Sequence, residues 1–206
     1  MTKIISWNLL HLAGASVLEI VNLIEREQPD LLLMQEATQE IDRLPGSIGG
    51  FYARCPLPDR RHGLATWAPQ PPSRPPVIVP IPSGALFNWV GQIIDLGECA
   101  VANVHLSHGQ ALNRRQLRRI ARSLPYRAIV MGDFNLVGPC LLPGVRDVGP
   151  RQPTHIAGDI VPLRIDRCLV RGMHCTRAAV LSRASSDHRP ITVELEAATN
   201  TALAAA

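Results

Sequence analysis

The sequence predicts an α/β fold, and three observations carry that reading. Short apolar runs rich in β-formers recur along the chain, and several close on a carboxylate, a carboxamide or a histidine. Segments with helical spacing of apolar residues fall between such runs. The 206 residues are 46% hydrophobic, enough to bury one sizeable core. Residues 1–196 are therefore read as a single domain, and residues 197–206 as an Ala-rich tail that is disordered or a frayed helix.

Lys3 to Trp7 is apolar, stops at Asn8, and reads as a buried strand that presents a polar side chain at its end. From Ser16, an N-cap residue type, Val17, Ile20, Val21 and Ile24 fall on one helical face, and Pro29 stops the pattern. The strand Leu31 to Gln35 is followed at once by Glu36. From Arg54 to Pro82 the chain is dense in proline, so irregular loops and edge strands are expected around a short strand at Gly63 to Trp67. Trp89 to Asp95 and Cys99 to His105 read as an antiparallel pair across a Gly97-Glu98 turn. Gln110 to Ser123 is helical, with Arg114, Arg115, Arg118, Arg119 and Arg122 on its polar face. Ala128 to Met131 is a further buried strand and runs into Gly132-Asp133-Phe134-Asn135. Leu163 to Val170, Ala178 to Leu181 and Pro190 to Leu195 read as the last strands.

A net charge of +4 and a pI near 9.1 favour a polyanionic partner, nucleic acid or an anionic lipid surface, although ordinary soluble enzymes carry as much. Five cysteines make an odd count without a two-residue pair spacing, which argues for reduced thiols rather than a zinc site. Met1 to Ile20 loosely resembles a leader, but Asn8 and His11 interrupt its apolar run. No later stretch approaches the roughly 20 apolar residues of a membrane span, so a soluble, cytoplasmic protein is expected.

One acidic residue after a strand is usually a turn or cap residue; repetition changes that reading. One or two carboxylates with a carboxamide are hard oxygen ligands of the kind magnesium takes when phosphate oxygens and water complete its shell. The segments concerned are Ile5-Ser6-Trp7-Asn8, Leu33-Met34-Gln35-Glu36, Asn103-Val104-His105-Leu106, Gly132-Asp133-Phe134-Asn135, Arg164-Ile165-Asp166 and Ser186-Asp187-His188-Arg189-Pro190. In this order they resemble the motif series of the endonuclease/exonuclease/phosphatase superfamily, the deoxyribonuclease-I-like enzymes. The resemblance runs from Ile4 to about Leu195.

The resemblance implies a four-layer α/β sandwich, two mixed β-sheets face to face with helices on the outside, and the site where strand ends converge. It implies Mg2+ or Mn2+ held by Glu36, with Asn8 and Asp187 beside it directly or through water. Asp133 and Asn135 would position the attacking water and the phosphate, and which residue takes the water's proton stays open. Asp166 would hold His188, whose protonated ring would bind the scissile phosphate. His105 would serve as general acid or stabilise phosphoryl charge. Thr154 matches a threonine that precedes the Arg-Ile-Asp segment in the family and would contact substrate phosphate or be a plain loop hydroxyl; Arg115, in a segment resembling one common in the superfamily, would belong to the scaffold or to the site rim, where it would contact substrate phosphate. Among the other histidines, His108 is expected nearest the cleft, being three residues beyond His105. Leu10 departs from the exonuclease-III-like branch, which has an acidic residue there, and this weakens an abasic-site reading. The chain is also short for the superfamily, so few substrate contacts are expected.

The reaction class this implies is in-line attack of water on a phosphoester. Nucleic acid is the first substrate reading, a small or lipid-linked phosphoester the second, and a non-catalytic binding protein on the same fold the third. The arginine helix is either a solvated basic face or a phosphate-binding stripe, and Arg60, Arg61 and Arg74 lie in the proline-rich loops. Oligomeric state is not legible in these residues.

Overall fold

The computed structural model describes residues 1–12, 14–83, 88–158 and 160–198. Strands β1 (Thr2–Asn8) and β2 (Leu31–Thr38) pair in parallel, with Asn8 opposite Gln35, and helix α1 (Val17–Glu27) crosses between them. A parallel pair needs such a crossover. Ser16 and Glu19 form a capping box at the start of α1, and Gln28 turns left-handed at its end, one residue before Pro29. After the short α2 (Leu44–Ile48), β3 (Phe51–Pro56) and β4 (His62–Ala68) extend this sheet on one side; β13 (Met173–Val180) and β14 (Ile191–Ala197) complete it on the other, in the order β13-β14-β1-β2-β4-β3.

The second sheet repeats the scheme. β7 (Ala100–His105) and β8 (Ala128–Asp133) are its parallel pair, joined by α3 (Gln110–Arg122). Around them lie β5 (Val77–Ile81), β6 (Trp89–Asp95), β9 (Arg146–Asp147) and β12 (Asp166–Arg171), in the order β5-β6-β7-β8-β12-β9. A small hairpin, β10 (His155–Ala157) with β11 (Val161–Leu163), stands apart.

Alternation along the strands builds the layers. Ile4, Leu31 and Leu33 meet Val101, Ile129, Met131 and Cys168 between the sheets. Ile5, Leu32 and Met34, on the opposite face, take Ile20, Leu23 and Ile24 of α1. Ala102, Val104 and Val130 take Leu117 and Ile120 of α3. Helix, sheet, sheet and helix are thus the four layers that the family resemblance implies.

The core between the sheets gives way to a polar seam toward one edge. Gln35 Nε2 donates to Asn103 Oδ1 at 2.7 Å and to Ser6 Oγ at 3.1 Å. Asn103 Nδ2 donates to the Met34 and Ala65 carbonyls at 3.1 and 3.0 Å, and Thr66 Oγ1 donates to Gln92 Oε1 at 2.7 Å. All five side chains are buried. The seam fixes one sheet against the other, because a slip would orphan several buried polar groups at once. Two residues further along the same strand faces stand Asn8 and His105.

Three expectations change. Gly63 to Trp67 belongs to β4, which is buried between β2 and β3 rather than at an edge; proline excludes itself from ladders, and here the prolines flank the strand instead of entering it. β2 does not stop before Glu36 but runs on to Thr38 through an irregularity between Met34 and Ala37. The expected tail begins inside β14, which includes Ala197, and its residues 199–206 lie outside the described residues. Among the described residues, no helix is long and apolar enough to cross a membrane. All five cysteines are free.

Candidate active site

The carboxyl ends of both parallel pairs open on one edge of the sandwich. Asn8 ends β1, His105 ends β7 directly opposite Asp133 at the end of β8, and Asp166 opens β12 opposite Asp133 on the other side. Glu36 is brought in differently. It sits in the irregular stretch of β2 with φ +57°, a left-handed conformation that only a special local arrangement sustains in a non-glycine residue. Gly132 has φ +147°, and a Cβ there would lie 2.0 Å from the Val104 carbonyl oxygen, so only glycine lets β8 approach β7 closely enough to pair His105 with Asp133.

Asp133 is the hub. Its Oδ2 accepts from Asn8 Nδ2 at 3.0 Å and Asn135 Nδ2 at 3.2 Å, and lies 3.6 Å from His105 Nε2 and 3.8 Å from His188 Nε2. Its Oδ1 accepts the Asn135 backbone N–H at 2.9 Å. Asn8 Nδ2 also reaches Glu36 Oε1 at 3.4 Å, and His105 Nε2 lies 3.9 Å from the same oxygen. The other Glu36 oxygen accepts the His11 backbone N–H at 3.1 Å and contacts His11 Nδ1. Burial opposes charge on Glu36, but the His105 charge and the bonds from His11 outweigh it and hold the carboxyl down at about 2. Glu36 is therefore ionised at neutral pH.

His188 is locked from several sides. Its Nδ1 meets Asp166 Oδ2 at 2.9 Å, Trp7 Nε1 donates to its carbonyl at 3.0 Å, and its N–H donates to Ser186 Oγ at 3.1 Å. Ser186 in turn donates to the Asn8 carbonyl at 2.7 Å, tying this loop to the end of β1. Burial disfavours the imidazolium, but the carboxylates of Asp166, Asp133 and Asp187 raise His188 to about 10, so it is cationic at neutral pH. Burial keeps the carboxyl of Asp166 above its usual range.

Eight sequence-predicted residues thus divide clearly. Asn8, Glu36, His105, Asp133, Asn135, Asp166 and His188 form one connected cluster. Asp187 stands at its rim, 3.7 Å from His155 Nδ1, and its buried Oδ1 has no hydrogen-bond partner among the described residues. Thr154 is fully buried, and its hydroxyl accepts the N–H groups of Ile165 and Asp166 at 3.2 and 3.0 Å, so it positions Asp166 rather than facing a substrate. Arg115 is exposed on α3 beside Arg118, Arg119, Arg122 and Pro82.

His108 is exposed on the loop before α3, and three other histidines reach the cluster instead. His11 contacts Glu36, and His62 stacks on His11 with ring centroids 3.9 Å apart. His155 packs on His188 at 4.4 Å and bridges it through the backbone. Burial first, then its histidine neighbour, lowers both: His62 falls to about 4, and His155 falls below its ordinary value. Sequence offered one clue, since His155 directly follows Thr154 in the loop before Asp166.

The donor types suit a hard divalent cation: Glu36 is ionised, Asn8 Nδ2 lies within hydrogen-bond reach of both the Glu36 and the Asp133 carboxylates, and Asn8 Oδ1, the carboxamide atom that could ligate a cation, accepts the Leu10 N–H at 3.1 Å. Two further sets, His155 with Asp187 and His188, and Asp133 with Asp166 and His188, have ligand atoms within 4.8 Å of one another. Asp187 Oδ1 and His155 Nδ1 are buried and, among the described residues, make no hydrogen bond, so a bound ion or substrate would satisfy them.

Residues 5–188 match the sequence model of the Endonuclease/Exonuclease/phosphatase family. Among solved structures, humanized D. rerio TDP2 carrying 14 mutations is 18% identical with a TM-score of 0.76, over 95% of this chain and 98% of that one. The endonuclease/exonuclease/phosphatase from Bacteroides vulgatus is 14% identical with a TM-score of 0.76, over 96% and 99%. D. rerio TDP2 complexed with single strand DNA product is 16% identical with a TM-score of 0.74, over 95% and 98%. At these identities the likeness is one of fold. No curated protein sequence matches the chain.

Proposed function

The chain belongs to the endonuclease/exonuclease/phosphatase family, and from that premise we propose that it is a metal-dependent phosphodiesterase that cleaves nucleic acid by in-line attack of water on phosphorus. The observation that carries this reading is the convergence of Asn8, Asn135, His105 and His188 on the single carboxylate of Asp133. Family membership supports phosphoester hydrolysis. The nucleic-acid substrate is supported by the chain's positive charge and by the single strand DNA product bound to one structural neighbour.

Glu36 and Asn8, with Asp187 at the rim, would hold Mg2+ or Mn2+. When bound, the ion supplies charge neutralisation at the phosphoryl oxygens. Asp133 accepts the proton of the attacking water, while Asn135, fixed by the Leu106 carbonyl at 3.0 Å, keeps that water and the phosphate aligned. The His188 imidazolium, held by Asp166, binds a non-bridging oxygen of the scissile phosphate. His105 stands on the Glu36 side of Asp133 and serves the leaving oxygen.

The test is cleavage of single- and double-stranded DNA and RNA with magnesium, manganese or EDTA, beside bis(p-nitrophenyl) phosphate. Metal-dependent cutting of a polymer, abolished in His188→Ala, is expected. Turnover of the small ester alone would replace the nuclease reading by that of a small-phosphoester phosphodiesterase.

A further inference from the structure

Helix α3 carries five arginines and neither Asp nor Glu. The whole chain has 21 Lys and Arg against 17 Asp and Glu, so without this one helix its basic and acidic residues would nearly balance. Arg114, Arg115, Arg118, Arg119 and Arg122 are all exposed. Among the described residues, none of them is ion-paired to a carboxylate. At 3.6 residues per turn they occupy an arc of about 140° and about 12 Å of helix length. Arg114, Arg118 and Arg122 follow one another at fourfold spacing, and Arg115 and Arg119 do likewise, so like charges stand one turn apart throughout. Four of the five line a shallow depression of about 320 Å³ with Pro82.

The opposite face of α3 is fastened to the active site. Asn113 Nδ2 donates to the Ser107 carbonyl at 3.1 Å and to the Phe134 carbonyl, and Gln116 Oε1 accepts the Ser107 N–H at 2.9 Å. Ser107 lies two residues beyond His105, and Phe134 lies between Asp133 and Asn135. The arginine face therefore begins beside the two loops that carry the site and leads away from them.

We propose that this face of α3 is a track for the phosphodiester backbone of a nucleic-acid strand whose scissile phosphate lies at Asp133, so that the enzyme holds several nucleotides on one side of the cut. The inference rests on the nuclease reading above and adds the surface that holds the strand beyond the cut. Guanidinium groups repeated about every 6 Å along a helix suit a repeating row of phosphates better than a single one. A lipid surface fits less well, because none of the exposed large apolar side chains belongs to α3 and such a helix would have nothing to insert.

The experiment measures fluorescence anisotropy of a labelled single-stranded oligonucleotide in EDTA, for wild type and for Arg118→Gln/Arg119→Gln/Arg122→Gln, between about 50 and 200 mM salt. The variant is expected to bind at least tenfold more weakly, with a salt slope shallower by about 2, given about 0.7 per single-strand phosphate contact. Its turnover of bis(p-nitrophenyl) phosphate and its circular dichroism are expected to match wild type. Equal affinity and slope in the two proteins, with strand cutting intact, would overturn the track and leave the nuclease reading standing. Arginine-dependent binding to phosphatidylserine vesicles without oligonucleotide binding would also overturn it. Failure of wild type to cut any nucleic acid would overturn both.

Discussion

Asn103→Leu tests whether the polar seam between the sheets is what holds the site together. Leucine has nearly the same shape but removes four hydrogen bonds: those from Asn103 Nδ2 to the Met34 and Ala65 carbonyls and, longer at 3.3 Å, to Gln92 Oε1, and the one accepted from Gln35 Nε2. Each bond contributes about 0.5–1.5 kcal/mol net, and each buried group left unpaired costs about 1–3 kcal/mol. Gln35 keeps Ser6 as a partner, so part of that penalty is avoided. The balance is a loss of about 3 kcal/mol, which for a domain of this size lowers Tm by about 6–12 °C. Activity should fall more than stability alone would require. Glu36 belongs to one sheet and His105 to the other, 3.9 Å apart, and a displacement of about 1 Å at a reacting centre costs roughly a hundredfold in rate. Calorimetric melting and small-ester turnover read the two effects separately. A Tm within about 2 °C of wild type, on the same 2–4 °C per kcal/mol scale, together with unchanged turnover, would refute the claim that the seam sets the sheet-to-sheet geometry.

Other expectations follow from single contacts. Gly132→Ala places a Cβ 2.0 Å from the Val104 carbonyl, at a φ that alanine disfavours, and should destabilise by about 3 kcal/mol or more in urea titration. The imidazolium of His188 should persist until pH approaches about 10, so the pH–rate profile lacks an alkaline fall near 7 on its account. Because its folded value is raised, the stability it contributes is complete below about 6.5 and is lost as pH rises through about 10. Asp166→Asn removes the chief carboxylate that raises His188, and the alkaline limb should move toward neutrality. A limb that stays in place would remove Asp166 from that role.

Much of this was legible in the residues, for local reasons. Ser16 and Pro29 bound α1 within the sequence itself, and the apolar runs before Asn8 and Asp133 are continuous because those strands are buried on both faces. What escaped depends on contacts between distant segments. Nothing local to Glu36 signals its positive φ, which lets β2 continue past the point where the sequence suggested an end. His11 and His155 join the site only because the chain folds back onto Glu36 and His188, whereas closeness in sequence pointed to His108. Thr154 matched a motif position, but its burial beneath Asp166 depends on the packing of the loop before β12. Gln35 and Asn103 lay inside recognised motifs, yet their partnership spans two sheets and could not be read from either segment.

The central claim is that Asp133 organises a metal-dependent phosphodiesterase site. Its most direct test is single-turnover cleavage of a labelled oligonucleotide by wild type and Asp133→Asn, each with magnesium and with EDTA, after melting curves verify that both are folded. Cleavage by wild type that EDTA abolishes, together with a loss of about a hundredfold or more in the folded variant, is the predicted result, since general-base assistance contributes about 10²–10⁴. A folded Asp133→Asn protein cutting at the wild-type rate, or wild-type cutting indifferent to EDTA, would contradict the account.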